Sequence, residues 1–260
     1  CNKDILGPKF FKTQLDTLDI DEFLTAICAI RHKEVTNKFF INYDHVRHQF
    51  KDSYKYESIL RLNLKDRFIL SAEYLLHYDP QEPLYMGYDP GNFQSLIVAQ
   101  KKDYGRRLDI IKEFFAFLPK DYNDLVAEVH QFFGSAAVNK TIYLYPDRAG
   151  NKRKEEREQI TTDSLNLKAA LESYGFMVVL YNEDAPTIYH WQQFKLCQML
   201  FGERSPLLPI VRIDENECKN LCSAIMISPL KKTEGKIELD KSSEKKQQLK
   251  NQAGLTTQLP

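Results

Sequence analysis

Two aspartates of this 260-residue chain stand where chemistry is most directly on offer. Asp89 lies in the string Tyr85-Met86-Gly87-Tyr88-Asp89-Pro90-Gly91, and Asp147 in Ile142-Tyr143-Leu144-Tyr145-Pro146-Asp147-Arg148-Ala149-Gly150-Asn151. Asp-Pro-Gly and Pro-Asp-x-x-Gly are common turn strings by themselves. What sets these two apart is that each follows directly on a short apolar run of strand character. If the two strands are parallel neighbours, ~4.8 Å apart, the carboxylates meet. Two like charges that close call for a cation between them, and hard oxygen ligands suit Mg²⁺ or Mn²⁺. A pair of such ions about 3.5 to 4 Å apart can clamp the attacking and leaving oxygens of a phosphodiester. Asp89 and Asp147 are therefore the candidate catalytic residues and metal ligands of a hydrolytic site.

The pattern between them predicts how they are positioned. Strands are expected over 84–88, 93–100 and 107–117, joined by short turns into an antiparallel meander. Asp121 caps a helix whose Tyr122, Leu125, Val126, Val129, Phe132 and Phe133 share one face, and Gly134 stops it. A buried strand over 141–145, a helix over 163–174 with Gly175 as its stop, and a strand over 176–181 follow. A helix over 187–201, a short strand over 209–213 and a helix over 216–224 come next. Two extended pieces, 225–229 and 236–239, joined through Glu234-Gly235, read as a basic hairpin. Three antiparallel strands and then helix-strand-helix-strand is the order of an α/β, ribonuclease H-like mixed sheet flanked by helices, with its first strand parallel to its fourth. Residues 1–80 read as a helical linker or the end of a preceding domain, and the turn cluster from Asp79 to Pro83 marks the boundary to a domain over 81–260.

Composition bounds the rest. The 43% hydrophobic share can build a core, which excludes disorder, collagen and coiled coil for the whole chain. Lys plus Arg number 36 and so do Asp plus Glu, so any grip on a polyanion must be local. Five cysteines (Cys1, Cys28, Cys197, Cys218, Cys222), with no CxxC pair, fit a reducing compartment. No apolar run approaches the roughly 18 residues of a spanning helix, and the first thirty positions lack a signal-peptide profile, so no membrane association is expected. His45, His48, His77 and His190 show no metal-ligand spacing. The 14 Tyr and 16 Phe mostly fall at strand or helix spacing and read as core.

The strings around Asp89 and Asp147, followed by Leu239-Asp240-Lys241-Ser242-Ser243-Glu244-Lys245-Lys246, resemble the C-terminal nuclease domain of the large terminase subunit of tailed bacteriophages over about residues 81–260. The resemblance implies a two-metal, Mg²⁺- or Mn²⁺-dependent endonuclease that cuts concatemeric double-stranded DNA during packaging. It also implies Asp89 and Asp147 as metal ligands, with Asp89 bridging both ions. Portal and small terminase subunit would be the partners, and the cytoplasm of the infected bacterium the location. Two departures stand out. No Gly-Lys-Ser/Thr phosphate loop is present, so an ATPase site is not expected in this chain. The family's third carboxylate is expected beyond Pro260, on a last helix that this sequence does not reach, with Asp240 and Glu244 as solvated loop charges. Together with the initial Cys, this makes the chain an expected piece of a longer reading frame.

Basic residues gather at Lys101, Lys102, Arg106, Arg107 and Lys112, at Lys152, Arg153, Lys154 and Arg157, a cluster half neutralised by Glu155, Glu156 and Glu158, and in 231–250, where seven lysines face four acids. Lys231, Lys232 and Lys236 of the hairpin, with Arg148 and Lys152, are the expected DNA contacts, since phosphate contact needs only such local excess. Other readings are a non-catalytic DNA-gripping or procapsid-docking module, another ribonuclease H-like nuclease such as a resolvase, and an actin-like ATPase. The last would use the Asp89 turn to donate N–H groups to phosphate, and Pro90 removes one of them.

Overall fold

The computed structural model describes residues 38–61, 70–90, 93–117, 119–147, 154–156, 159–181, 188–233 and 236–239. In chain order the strands are β1 (Gln49–Phe50), β2 (Leu84–Asp89), β3 (Phe93–Lys102), β4 (Arg107–Phe117), β5 (Thr141–Pro146), β6 (Lys154–Glu156), β7 (Gln159–Thr161), β8 (Met177–Leu180), β9 (Ile210–Asp214), β10 (Leu230–Thr233) and β11 (Lys236–Leu239). The longer helices are α1 (Tyr122–Phe133), α2 (Asp163–Ser173), α3 (His190–Gly202) and α4 (Lys219–Ile227). The chain forms two compact units, one of Asn42–Ser223, the other of Cys1–Ile41 with Ala224–Pro260.

The larger unit is built on a seven-stranded sheet in the order β1-β9-β4-β3-β2-β5-β8. Only β3 runs antiparallel to its neighbours, and β2 pairs in parallel with β5, as expected. The meander and the two following strands reproduce the predicted ribonuclease H-like order. Local chemistry sets the element ends. Asp121 accepts from the N–H groups of Asn123 and Asp124 while the Asp124 carboxylate accepts from the Asp121 N–H, a reciprocal cap that starts α1. Thr162 caps α2 through the Leu165 N–H, and Gly175, at φ +86°, lets the chain leave that helix in the left-handed region.

The core lies on one face of the sheet. Leu84, Met86 and Tyr88 of β2, Ile142 and Leu144 of β5, and Phe114 and Ala116 of β4 pack with Leu125, Val126, Val129, Phe132 and Phe133 of α1 and Leu167 and Leu171 of α2. Burial of each large apolar side chain there contributes about 1.5–3 kcal/mol. Ala72, Leu75 and Tyr78 join the same core, and β1 adds a parallel edge strand beside β9. Gln100, fully buried, ties the 79–82 turn to β3 by accepting from the Asp79 N–H and donating to the carbonyls of Asp79 and Glu82. Of the stretch read from sequence as lying ahead of the domain, the described residues 42–61 and 70–80 fall in the same compact unit as the sheet. Residues 1–37 lie outside the described residues.

Two expectations need correction. Ile225 to Ile227 is helical, so the hairpin strand is Leu230–Thr233 and not 225–229; the Ser228 N–H still bonds back to Ala224, which carries the helical turn past the expected stop. The helix expected from residue 216 begins at Lys219, because the Asp214 carboxylate takes the N–H groups of Asn216 and Glu217 and holds that segment as a turn. The second unit includes the antiparallel β10–β11 hairpin, with Lys231 opposite Glu238 and Thr233 opposite Lys236.

Candidate functional site

Period-two alternation decides where the acids point. With Leu84, Met86 and Tyr88 buried on the core face, Asp89 falls on the opposite face at the end of β2, where Pro90, having no N–H, ends the strand. The same holds on β5, where Ile142, Leu144 and Pro146 are buried and Asp147 is the next residue. Tyr88 is opposite Pro146, and the Asp147 N–H donates to the Tyr88 carbonyl at 2.7 Å. The ladder therefore continues one residue beyond β5 and sets Asp89 and Asp147 side by side at the carboxyl ends of parallel strands. Both are exposed.

Tyr88 lies directly behind them. Buried on the core face, it donates its hydroxyl to Oε1 of Gln94 at 3.2 Å. Its phenol is held well above the ordinary tyrosine range, by burial first and then by the negative charges of Asp163 and Asp89. Asp163, the first residue of α2, thus acts on the Tyr88 phenol. Sequence reasoning used Asp163 only as a helix start, because nothing local links residue 163 to residue 88.

The donor set of Asp89 and Asp147 is hard, anionic and open to solvent. That chemistry fits one Mg²⁺ or Mn²⁺ that keeps several of its own waters. No group of three or more His, Cys, Asp or Glu that could hold a metal ion occurs among the described residues. Arg148, Lys152, Asp240 and Glu244 lie outside the described residues. Lys231 is exposed on β10, and Lys232 and Lys236 fall on the two paired hairpin strands. The basic cluster around the β3–β4 turn is largely neutralised within itself: Arg107 pairs with Asp109 at 2.9 Å and Asp103 at 3.4 Å, and Lys112 sits away from the turn, bonded to Glu217. Lys101 and Arg106 remain exposed.

The structure also gathers acids that the sequence reading did not single out. Glu217 accepts from both Lys112 and the Tyr54 hydroxyl, and Asp214 accepts from the Ser53 hydroxyl at 2.6 Å. Burial raises the Asp214 carboxyl above its ordinary value despite that bond and two from backbone N–H groups. Glu113 of β4 caps α4 from below. Its Oε1 accepts from the Asn220 N–H at 2.8 Å and Nδ2 at 3.0 Å, and its Oε2 from the Leu221 N–H at 2.8 Å. Cys197, Cys218 and Cys222 are free thiols, each raised by burial.

The mixed sheet thus carries two adjacent exposed aspartates at the carboxyl ends of β2 and β5. Among solved structures the chain is similar to the large terminase of a thermophilic bacteriophage, at 10% identity and TM-score 0.47, covering 93% of this chain and 50% of that one. It is also similar to the nuclease domain of the P22 large terminase, at 9% identity and TM-score 0.48, covering 82% of this chain and 88% of that domain. A third likeness is to the nuclease domain of the SPP1 large terminase with bound Mn, at 11% identity and TM-score 0.42, covering 70% and 89%. The chain spans about half the length of the thermophilic phage protein. No family profile matches the sequence, and no curated protein sequence does. No helix among the described residues is long and apolar enough to cross a membrane.

Proposed function

We propose that this chain is a metal-dependent endonuclease module that hydrolyses phosphodiester bonds of double-stranded DNA. The observation that supports this is the bond from the Asp147 N–H to the Tyr88 carbonyl, which brings Asp89 and Asp147 to adjacent, exposed ends of parallel strands. Asp89 and Asp147 would hold Mg²⁺ or Mn²⁺, which would supply Lewis-acid polarisation of the phosphoryl oxygen and a water of lowered pKa. A second ion, and with it full two-metal catalysis, needs a third carboxylate. The two aspartates would also fix the register of the phosphate, and Lys231, Lys232, Lys236, Arg148 and Lys152 are the proposed contacts to the DNA backbone. By the resemblance of its motifs, the natural substrate is concatemeric phage DNA in the cytoplasm of the infected bacterium, with portal and small terminase subunit as partners.

A non-catalytic DNA-gripping or docking module is the second reading, kept because no group of three or more His, Cys, Asp or Glu that could hold a metal ion occurs among the described residues. The two are separated by plasmid cleavage in Mn²⁺ together with calorimetric Mn²⁺ titration of the wild type, Asp89→Asn and Asp147→Asn. Cleavage and Mn²⁺ heat both lost in either variant support the nuclease. Equal Mn²⁺ affinity in the wild type and both variants would remove the metal site, and DNA binding without cleavage in an otherwise metal-binding wild type would favour the gripping module.

A further inference from the structure

The face of the sheet that carries Asp89 and Asp147 also carries a row of tyrosines. On β2 this face presents Tyr85, Gly87 and Asp89, and on β5 Tyr143 and Tyr145, with Asp147 one residue past its end. Tyr85 is opposite Tyr143, Gly87 is opposite Tyr145, and Tyr143 is opposite Val179 of β8. The Tyr181 N–H donates to the Leu144 carbonyl, which brings Tyr181 beside Tyr145. The rings form a connected set: Tyr85 and Tyr143 stack with centroids 5.0 Å apart, Tyr143 and Tyr181 lie 5.8 Å apart, and Tyr145 and Tyr181 are nearly parallel, at 8° and 4.9 Å. The Lys101 ammonium sits 4.3 Å over the Tyr85 ring at the far end. Tyr145 and Tyr181 remain 36% and 41% exposed.

None of these four rings belongs to the buried core cluster. The opposite face of the same strands is filled by α1 and α2. The tyrosine row of β5 begins two residues, about 7 Å, from Asp147, and Tyr85 of β2 lies four residues from Asp89. Aromatic rings interleaved with a cation, continuous with a phosphodiester-binding edge, are what a nucleic-acid strand with unstacked bases requires, because every base has a face to stack and the backbone needs only local positive charge. In an intact duplex the bases are already stacked on one another and cannot reach such a surface.

We propose that the Tyr85–Tyr143–Tyr145–Tyr181 face is a base-stacking platform, and that the site takes DNA whose bases are unpaired next to the phosphodiester held at Asp89 and Asp147. The inference rests on the nuclease reading for the position of that phosphodiester. The platform holds one strand away from its complement and so aligns the backbone across the acidic pair. Tyr145 and Tyr181, the most open rings, take the bases nearest the phosphate, and Lys101 meets the backbone at the far end.

The test is fluorescence anisotropy of a labelled twelve-nucleotide oligothymidylate and of a blunt twelve-base-pair duplex, without divalent metal, against the wild type, Tyr145→Leu, Tyr181→Leu and Tyr145→Phe. Each leucine variant is expected to bind oligothymidylate about tenfold more weakly, with duplex affinity unchanged, while Tyr145→Phe, which keeps a ring, binds as the wild type does. Quenching of tyrosine emission on oligothymidylate binding should shrink in the leucine variants. Unchanged oligothymidylate affinity in both leucine variants overturns the platform. So does a wild-type dimer in sedimentation that both leucine variants dissociate, since the face then joins two copies of the chain. Mn²⁺-dependent plasmid cleavage measured in parallel on Asp89→Asn reports on the nuclease reading alone, so failure of one idea is not mistaken for failure of the other.

Discussion

Replacing Glu113 by Ala tests whether one buried carboxylate fixes α4 to the sheet. Glu113 is opposite Ile97, which is opposite Gly87, which is opposite Tyr145, so it belongs to the same cross-strand row as the tyrosine face. Its side chain is only 9% exposed and accepts three hydrogen bonds from the first turn of α4. Loss of a helix cap costs about 0.5–2 kcal/mol. Hydrogen bonds to a charged group are worth about 1.5–3 kcal/mol each but do not add, since water reaches part of the freed turn. The expected destabilisation is therefore about 3 kcal/mol, and for a unit of this size the midpoint of thermal unfolding should fall by roughly 6–12 °C. Glu113→Gln keeps the shape and one good acceptor, but turns its amide toward an N–H donor, so about half the loss is expected. Urea unfolding followed by circular dichroism measures both. A loss below about 0.5 kcal/mol in the alanine variant would mean that packing, not the carboxylate, holds α4, and the reasoning would be wrong.

Stability should also fall on acidification from pH 7.5 to 5.5. His48 is buried with its Nε2 3.6 Å from Glu203, and burial pulls its pKa below the ordinary value, so the unfolded chain binds the proton first and stability is lost as pH drops through about 6.5. Glu203 adds a second loss below its ordinary 4.5: burial alone would raise it, but the bonds from Arg212 and Arg47 outweigh that and lower it. Asp214, raised by burial, acts with the opposite sign, so His48→Gln isolates the first limb; the same slope in that variant would rule out His48 as its source. Separately, replacing Lys231, Lys232 and Lys236 by Ala should weaken duplex binding and reduce the slope of log affinity against log salt by up to about three contacts' worth, and an unchanged slope would move the phosphate contacts off the hairpin.

Much of the architecture is legible in the chain itself, because its signals are local. Asp121 and Asp124 cap α1 through bonds that span three residues, Gly134 and Gly175 stop helices where a side chain would crowd or strain the turn, and the apolar runs before Asp89 and Asp147 read directly as strands. The order of those elements, with only a turn between β2 and β3, is enough to pick the mixed sheet and to bring the two aspartates to neighbouring strand ends. Tertiary structure decided what no local pattern encodes. Alternation says that Tyr85, Tyr143 and Tyr145 share a face but not whether anything covers it, so rings that read as core prove half open. The partners of Glu113, Glu217 and Asp214 lie about a hundred residues or more away along the chain, as do Ser53, Tyr54 and Lys112 from the acids they satisfy. A two-residue strand such as β1 has too few side chains to announce itself, and only its pairing with β9 makes it one. Residue types determine which groups can bond; the closing of long loops onto one sheet determines which of them meet.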